Sequence, residues 1–288
     1  MDLSIIIVSF NTQKLTHDCI ASIFRSLDHT KISFEVIVVD NISTDGTRDI
    51  IKKKFPKVRL ILNRINAGFG KANNQAIKVA KGEYILLLNS DTVALNSSIL
   101  KLHAFVKQHP NAFVGGKLLN ADRSPQTSCG PFFTLPVTFA ALFLKGDVLG
   151  LTRWSPDRTR KVDWVSGACI IAAKKLFMND LLFDEDIFMY MEEIDLLYRA
   201  KLKGYPTYFY HRALVVHLGG GSSQNKRKGP VLNIYRGLLH FYGKYMPAWQ
   251  LSILKFLLKT KALIGWMIGV MMGRAQLKDT YAEAYTLV

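Results

Sequence analysis

The chain has 288 residues, of which 49 % are hydrophobic, and it carries a formal net charge of +16 at pH 7. This length and composition allow a large buried core, as one large domain or one domain with an appendage. The basic excess makes acidic partners plausible, such as nucleic acid, anionic lipid or phosphate-bearing ligands. Three cysteines without a C-x-x-C pair argue against a disulfide framework and a zinc site, and they fit a reducing compartment.

The first half of the chain alternates between apolar strands and helical segments. Residues 3–8 lack a basic leader and a small-residue cleavage site, so they are predicted to form a first strand rather than a signal peptide. Strands are predicted at residues 3–8, 34–39, 58–62, 84–88 and 112–118. Helices are predicted at residues 12–27, after Ser43 or Thr44, at 69–80 and at 97–108. This alternation predicts an α/β fold with a parallel, doubly wound sheet.

The middle of the chain is less regular. Residues 120–160 are rich in Pro, Gly, Ser and basic residues, and a long irregular segment of this kind is often a functional lid. Beyond it we expect a strand at 162–173, interrupted at Ser166 and Gly167, then an acid-rich helix at 188–203. A last strand or strand pair is predicted at 207–218.

The composition changes after Gly229, which predicts two domains, 1–228 and 229–288. Residues 249–272 are apolar apart from a few polar positions, and Ser252, Lys255 and Lys259 would share one narrow stripe of a helix. The lysine-free part is shorter than the roughly 20 residues that cross a bilayer. We therefore predict a helix lying in the membrane interface, with lysines meeting anionic headgroups. Packing on the domain or on a dimer partner is the alternative.

Polar clusters follow the predicted strands, where ligands bind in open α/β sheets. The clearest is Asn89-Ser90-Asp91, which ends the apolar run at 84–88 and places Asp91 where a metal-bound phosphate would be expected. Each cluster alone could be turn or capping chemistry. Their repetition along one edge of a sheet is not required by turns. The clusters are 9–11, 40–46, 63–74 and 89–91.

These clusters resemble the motifs of the family 2 glycosyltransferases, which are inverting enzymes with the GT-A fold. The sequence looks closest to the bacterial rhamnosyltransferase-like branch, and the resemblance spans roughly residues 3–222. The matching segments are 4–11, 38–47, 66–74, 88–92, 167–168 and 188–195.

By resemblance, the ends of the first two strands hold the donor nucleotide, with Asp40 bonded to the edge of the base. An Asx-type turn is the structural alternative for Asp40. A dinucleotide fingerprint is not met, since Asn73 replaces the third glycine after Gly68 and Gly70. The residues assigned to the nucleotide side are Ser9, Asn11, Asp40, Asp45, Asn66, Gly68, Phe69, Asn73, Asn89 and Ser90.

The segment Asn89-Ser90-Asp91 matches the family's Asp-x-Asp motif, with Asn in the first place. The resemblance implies that Asp91 binds Mg²⁺ or Mn²⁺, which bridges the donor diphosphate; both ions prefer hard oxygen ligands. His217 resembles a histidine that serves some relatives as a further metal ligand. A satisfied structural histidine is the alternative. The glycines from 219 onward and the basic residues 226–228 resemble a loop that closes over phosphates, and a solvated basic loop fits equally well.

The cluster at 192–195 supplies the candidate catalytic acids. An inverting transfer needs a carboxylate that takes the proton from the acceptor hydroxyl. The resemblance assigns this role to Glu193, with Glu192 and Asp195 as rivals. A position near a helix N-terminus is expected to keep the carboxylate ionised. Asp195 could instead pair with Arg199 across one turn, and the whole cluster could be an acidic helix start.

The resemblance implies an inverting transferase that moves a sugar from a UDP- or dTDP-sugar, with dTDP-rhamnose among the candidates. The acceptor would be lipid-linked or a polysaccharide of the bacterial surface. We expect a cytoplasmic protein on the inner face of the membrane, without a nucleic-acid partner; a homodimer is left open. The alternatives are a sugar-phosphate nucleotidyltransferase and a basic membrane- or nucleic-acid-binding module without catalysis.

Overall fold

A mixed sheet forms the centre of the computed structural model, which describes residues 1–28, 30–219 and 228–288. The described strands, in chain order, are β1 (Leu3–Ser9), β2 (Phe34–Asp40), β3 (Arg59–Leu62), β4 (Tyr84–Asn89), β5 (Thr92–Ala94), β6 (Phe113–Leu119), β7 (Cys129–Gly130), β8 (Arg160–Val162), β9 (Trp164–Val165), β10 (Cys169–Ala173) and β11 (Thr207–His217). The main sheet has the order β3-β2-β1-β4-β10-β6-β11-β5, with β8 paired to β11, while β7 and β9 form a separate pair.

Helices connect these strands, and several of the connecting helices pack against the sheet, while three more follow the last strand. The described helices are α1 (Gln13–Leu27), α2 (Thr47–Lys54), α3 (Phe69–Val79), α4 (Ser98–Gln108), α5 (Leu135–Phe143), α6 (Lys174–Met178), α7 (Glu192–Leu202), α8 (Lys228–Tyr245), α9 (Ala248–Met271) and α10 (Ala275–Thr286). In the first half they fall within a few residues of the predicted segments.

The first four strands confirm the predicted parallel, doubly wound arrangement. β1 lies between β2 and β4, and β3 pairs with β2, all in parallel. The apolar side chains of β1 and β4 are buried, as expected for strands covered on both faces. The carboxyl ends of β1, β2 and β4 therefore meet at one edge.

The second half of the sheet is mixed. β10 runs antiparallel between β4 and β6, whereas β6 and β11 are parallel. An apolar run does not encode its direction, so the sequence pattern could not show that β10 is reversed. Its predicted interruption is confirmed, because residues 166–168 separate β9 from β10.

The acid-rich helix starts later than predicted. Residues 188–191 are not helical, and α7 begins at Glu192. Tyr190 and Met191 take positive φ values of 67° and 74°, which a right-handed helix excludes. The correction puts Glu192 and Glu193 in the first turn of the helix rather than its second.

Three helices complete the C-terminal part of the chain. The Tyr235 hydroxyl of α8 donates to the Leu258 carbonyl of α9 at 3.2 Å, and the hydroxyls of Thr138 and Tyr242 join α5 to α8. The predicted helix at 249–272 corresponds to α9. None of the described helices combines the length and the apolar character that crossing a bilayer requires.

Candidate active site

A cleft of about 330 Å³ opens where β1 and β4 end, between this edge and the start of α7. Its lining combines strand-end loops, the 166–168 connection and α7. The described residues that line it are Val8, Phe10, Asn41, Asn66, Gly68, Phe69, Asn89, Ser90, Asp91, Arg153, Ser166, Gly167, Ala168, Met189, Tyr190, Glu192, Glu193, His217 and Ile234. Asp91 and Glu193, 102 positions apart in the chain, thus face the same hollow.

Strand pairing brings Asp91 and His217 together. β5 pairs antiparallel with the end of β11 so that His217 lies opposite Thr92, and the Leu218 amide donates to the Asp91 carbonyl. The His217 Nε2 atom lies 3.4 Å from the Asp91 carboxylate and 3.5 Å from the Asn89 amide nitrogen. The sheet therefore builds a cluster of one carboxylate, one imidazole and one amide.

Gln126 orients the His217 ring. Its side-chain nitrogen donates both to Asn120 Oδ1 and to the His217 carbonyl, each at 3.0 Å, so its oxygen is left to accept from His217 Nδ1 at 2.7 Å. A histidine that donates through Nδ1 presents the lone pair of Nε2. In the neutral ring, Nε2 would therefore be free to bind a cation beside Asp91 and Asn89.

This cluster fits a divalent cation. The Asn89 oxygen Oδ1 is buried without a hydrogen-bond partner among the described residues, and Asn89 lines the cleft together with Asp91. Buried polar oxygens rarely go unpaired, and Mg²⁺ and Mn²⁺ take oxygen ligands. The described residues hold no group of three or more His, Cys, Asp or Glu side chains that could bind a metal. A cation here would depend on Asp91, His217 and the neutral Asn89 oxygen.

Glu192 and Glu193 form an acidic pair on the opposite wall. Burial raises the pKa of Glu192 well above its usual range, and the charge of Glu193 raises it further. Burial also raises the pKa of Glu193, although backbone hydrogen bonds and the Arg153 guanidinium oppose the rise. Neighbouring acids lose their protons as a coupled pair. Burial therefore raises the pKa of both acids, and that of Glu192 most strongly.

Burial acts against the helix N-terminus, which was expected to keep the carboxylate ionised, and it raises the pKa of Glu193. A carboxylate with a raised pKa is a stronger base once it is ionised.

The backbone at the start of α7 is strained, and packing against α8 supports it. Tyr190 and Met191 occupy the left-handed region, which costs about 1–3 kcal/mol per residue. A Cβ at Gly237 of α8 would come within 2.7 Å of the Met191 Cγ, so a glycine is needed for this approach. Helix α8 thus supports the turn that presents Glu192 and Glu193.

The nucleotide-side loop meets the same wall. The Phe69 amide donates to the Phe188 carbonyl at 3.0 Å, and Asn66 Oδ1 accepts from the Gly68 amide at 3.1 Å. Gly68 has φ of 80°, and a Cβ there would lie 2.5 Å from the Phe188 carbonyl oxygen. Of the residues predicted for the nucleotide, Asn66, Gly68, Phe69, Asn89 and Ser90 line the cleft.

Five other residues predicted for the nucleotide lie behind the lining, where they hold the loops together. Asp45 caps two helices, accepting from the amides of Gln13 and Thr47. Asn11 Oδ1 accepts from the Thr44 amide. The Ser9 hydroxyl bonds those of Thr12 and Thr16, and the Asn73 side-chain amide donates to the Phe69 carbonyl. The five residues outside the lining are Ser9, Asn11, Asp40, Asp45 and Asn73.

Asp40 is fully buried next to this edge. Its Oδ1 accepts from the Ser43 amide at 3.0 Å and from Arg48 Nε at 2.5 Å, bonds of the kind that the structural alternative for Asp40, an Asx-type turn, would use. Its Oδ2 and the Arg48 Nη2 are buried without partners among the described residues. The neighbouring Asn41, rather than Asp40, reaches the cleft.

Asp195 faces away from the cleft. Its carboxylate is fully buried and accepts from Arg199 Nε at 2.7 Å, from Lys244 Nζ at 3.2 Å and from the Tyr245 hydroxyl at 2.5 Å. Burial and the bond to Asp195 raise the pKa of Tyr245 to about 12, so the hydroxyl remains a donor. Asp195 therefore fixes α7 to α8. Its pairing with Arg199, the alternative to a catalytic role, is present in the structure.

Sequence reasoning missed part of the lining. Arg153 comes from the irregular 120–160 segment, and Ile234 comes from α8. Neither residue has a local motif, although the basic character of the segment around Arg153 was a usable signal. Residues 220–227, which make up most of the proposed phosphate-closing loop at 219–228, lie outside the described residues.

The fold and the strand-end cleft define an α/β protein of the GT-A class. The structure is similar to the crystal structure of S. aureus TarS 1-349, with a TM-score of 0.55 and 17 % sequence identity. The alignment covers 99 % of this chain and 90 % of the TarS chain, and it confirms the fold class. A family model described as glycosyl transferase family 2 matches residues 4–127. Residues 4–127 of the chain therefore form a segment similar to this family.

Curated relatives are bacterial glycosyltransferases. The chain is 37 % identical over 122 residues to the poly(ribitol-phosphate) beta-glucosyltransferase of Bacillus spizizenii, a match covering 41 % of this chain and 19 % of that protein. It is 29 % identical over 214 residues to the N-acetylglucosaminyl-diphospho-decaprenol L-rhamnosyltransferase of Mycobacterium tuberculosis, covering 65 % and 67 %. The match thus spans about a fifth of the first of these relatives.

Proposed function

We propose that the chain is an inverting glycosyltransferase that uses a UDP- or dTDP-sugar, with dTDP-rhamnose among the candidates. The acceptor is a lipid-linked or polysaccharide glycan of the bacterial surface, and the enzyme works at the cytoplasmic face of the membrane. The observation that carries the proposal is that Asp91 and Glu193 line one cleft from opposite walls. The named activities of the relatives support it.

The donor binds with its nucleotide on the strand-end wall, the side of the cleft formed by the loops that follow the parallel strands. Gly68 lets the backbone approach the ligand closely, and Phe69 and Asn66 line the same wall. Asp91, His217 and the Asn89 oxygen would hold Mg²⁺ or Mn²⁺. A bound cation of this kind offsets negative charge on the diphosphate and on the departing nucleotide.

Glu193 acts as the general base. It takes the proton of the acceptor hydroxyl while that oxygen forms a bond to the anomeric carbon and the bond from this carbon to the diphosphate breaks. Attack from the face opposite the leaving group inverts the anomeric configuration. Its raised pKa suits proton transfer, and Arg153 limits the rise so that Glu193 ionises before Glu192.

The test is a panel of UDP- and dTDP-sugars incubated with the full chain and Mg²⁺ or Mn²⁺. We expect release of a nucleoside diphosphate from one donor, loss of release with EDTA, and no release by Asp91→Ala or Glu193→Ala variants that keep their far-UV circular dichroism. Normal turnover in both variants would refute the site. Release of pyrophosphate would indicate a nucleotidyltransferase instead.

A further inference from the structure

Helix α9 exposes an apolar stripe along its whole length. We call this set the outer stripe; its members are Trp249, Ile253, Phe256, Leu263, Met267 and Met271. At 3.6 residues per turn they fall within an arc of about 80°, and they extend over about 33 Å. The opposite side of α9, with Leu254, Leu258 and Ala262, is buried in the protein. A large exposed apolar surface marks an interaction site.

A second exposed apolar set lies next to α9. We call it the α5 patch; its members are Phe139, Leu144, Val148, Leu149 and Leu151. Helices α5 and α9 are in contact, and the Lys261 Nζ lies 5.7 Å from the centre of the Phe143 ring. The two sets therefore lie on neighbouring elements, one long helix and one adjacent segment.

The charges around this surface are basic. Lys255 and Lys259 flank the outer stripe, Lys145 lies within the α5 patch segment, and α9 contains no Asp or Glu. The acid of the α5 patch segment, Asp147, accepts from Thr152 and lies 4.0 Å from Arg153. Lysines beside apolar and tryptophan side chains are the composition of a helix that lies in a lipid headgroup layer.

We infer that the outer stripe and the α5 patch dock the enzyme on an anionic bilayer. A two-fold contact between copies through the same surface would set lysine against lysine, whereas anionic headgroups complement these charges. A crevice of about 300 Å³ between α9 and α10, lined by Leu263, Trp266, Tyr281 and Tyr285, opens beside the stripe and suits the end of an acyl chain.

The docked orientation brings the cleft close to the headgroups. Ile234 of α8 lines the cleft, while the adjacent Tyr235 bonds the Leu258 carbonyl of α9. Leu258 lies on the side of α9 opposite the outer stripe, so helices α8 and α9, whose axes pack about 8–10 Å apart, separate the cleft from the bilayer. This step rests on the proposed function: a lipid-linked acceptor would meet Glu193 across this pair of helices.

Vesicle co-sedimentation of the full chain tests the inference. We expect binding to vesicles of phosphatidylcholine with phosphatidylglycerol, weaker binding to phosphatidylcholine alone, and release at high salt. The double variant F256E/M267E should bind at least about tenfold more weakly, since burial of a single large apolar side chain contributes at least that factor. Leu202→Glu is the matched control, because Leu202 is 66 % exposed and Phe256 69 %.

The lysines supply a second, independent variant. We expect K255E/K259E to lose the preference for anionic vesicles by about tenfold or more while its binding to phosphatidylcholine stays unchanged. Unchanged binding of F256E/M267E to anionic vesicles would overturn the inference. A wild-type chain that ignores vesicles but forms a dimer, dissociated by F256E/M267E in analytical ultracentrifugation, would assign the surface to a second copy and also overturn it.

The experiment separates docking from catalysis. F256E/M267E should hydrolyse the donor like the wild type, and E193Q should bind vesicles like the wild type. Loss of vesicle binding in E193Q would contradict the separation. If no donor is turned over by the wild type, the proposed function fails while vesicle binding still decides the docking surface.

Discussion

The two walls of the cleft differ in how their polar groups are satisfied. On the strand-end wall, formed by the loops after β1 and β2, Asp45, Asn11 and Ser9 are used in hydrogen bonds that hold the loops. On the α7 wall, Glu192 Oε2 is buried without a partner among the described residues, and both glutamates have raised pKa values. Unsatisfied buried groups tend to mark functional sites. The loops after β1 and β2 are thus held mainly by their own hydrogen bonds, with Asp40 Oδ2 as the exception, whereas the α7 wall contains an acidic pair with raised pKa values.

The largest expected effect is that of Glu193→Gln. Gln cannot accept the acceptor proton, so kcat should fall by about 10²- to 10⁴-fold while donor binding is retained. Steady-state kinetics with the identified donor, together with nucleotide binding by calorimetry, measure both quantities. Glu192→Gln is the matched control on the same turn and should keep more activity. The reverse ranking of the two variants would make Glu192 the base.

Asp195 sharpens the comparison, because it lies on the same helix but faces α8. Asp195→Asn removes a buried charge from Arg199 and Lys244, and we expect a loss of about 2–4 kcal/mol in the free energy of unfolding, since Lys244 is partly exposed. Urea unfolding measures this loss. At a temperature where the variant is folded, kcat should remain within about tenfold of the wild type. A large loss of kcat with unchanged stability would assign Asp195 to the chemistry.

Glu192 tests whether a buried negative charge on the α7 wall destabilises the folded protein. Because its pKa is raised on folding, the folded state binds the extra proton, and stability falls as the pH rises from the unfolded pKa through the folded one. Glu192→Gln removes this cost, so it should stabilise the protein by about 1–3 kcal/mol at pH 8 and by less at pH 5. Thermal melts at both pH values are the measurement. A gain that is equal at both would show that the effect is not ionisation.

The same difference decides what could be predicted from the sequence. The strand-end wall follows from periodicity, since the apolar runs 3–8 and 84–88 end in polar clusters that parallel pairing must bring together. Even there, the sequence could not show that Asn41 faces the cleft while Asp40 is buried, because this depends on the Arg48 and Ser43 bonds.

The α7 wall depends on long-range packing, which local patterns do not encode. The helix was predicted to begin at 188, but the left-handed pair Tyr190 and Met191, supported by Gly237, delays it to Glu192. Arg153 reaches the cleft from a segment without periodicity. Helix α9, in contrast, was predicted nearly to its ends, since it is a long local pattern.

Arg153 gives the smallest and most specific test of the reactive wall. Its guanidinium opposes the burial that raises the pKa of Glu193, so Arg153→Met should raise that pKa further. A base acts only when ionised, and the acid limb of the kcat/KM profile should therefore move to higher pH, with a larger loss of rate at pH 6 than at pH 8.5. Arg158→Met, an exposed position of the same segment, is the control and should leave the profile in place. An equal loss at every pH would mean that Arg153 contacts the substrate rather than tuning Glu193.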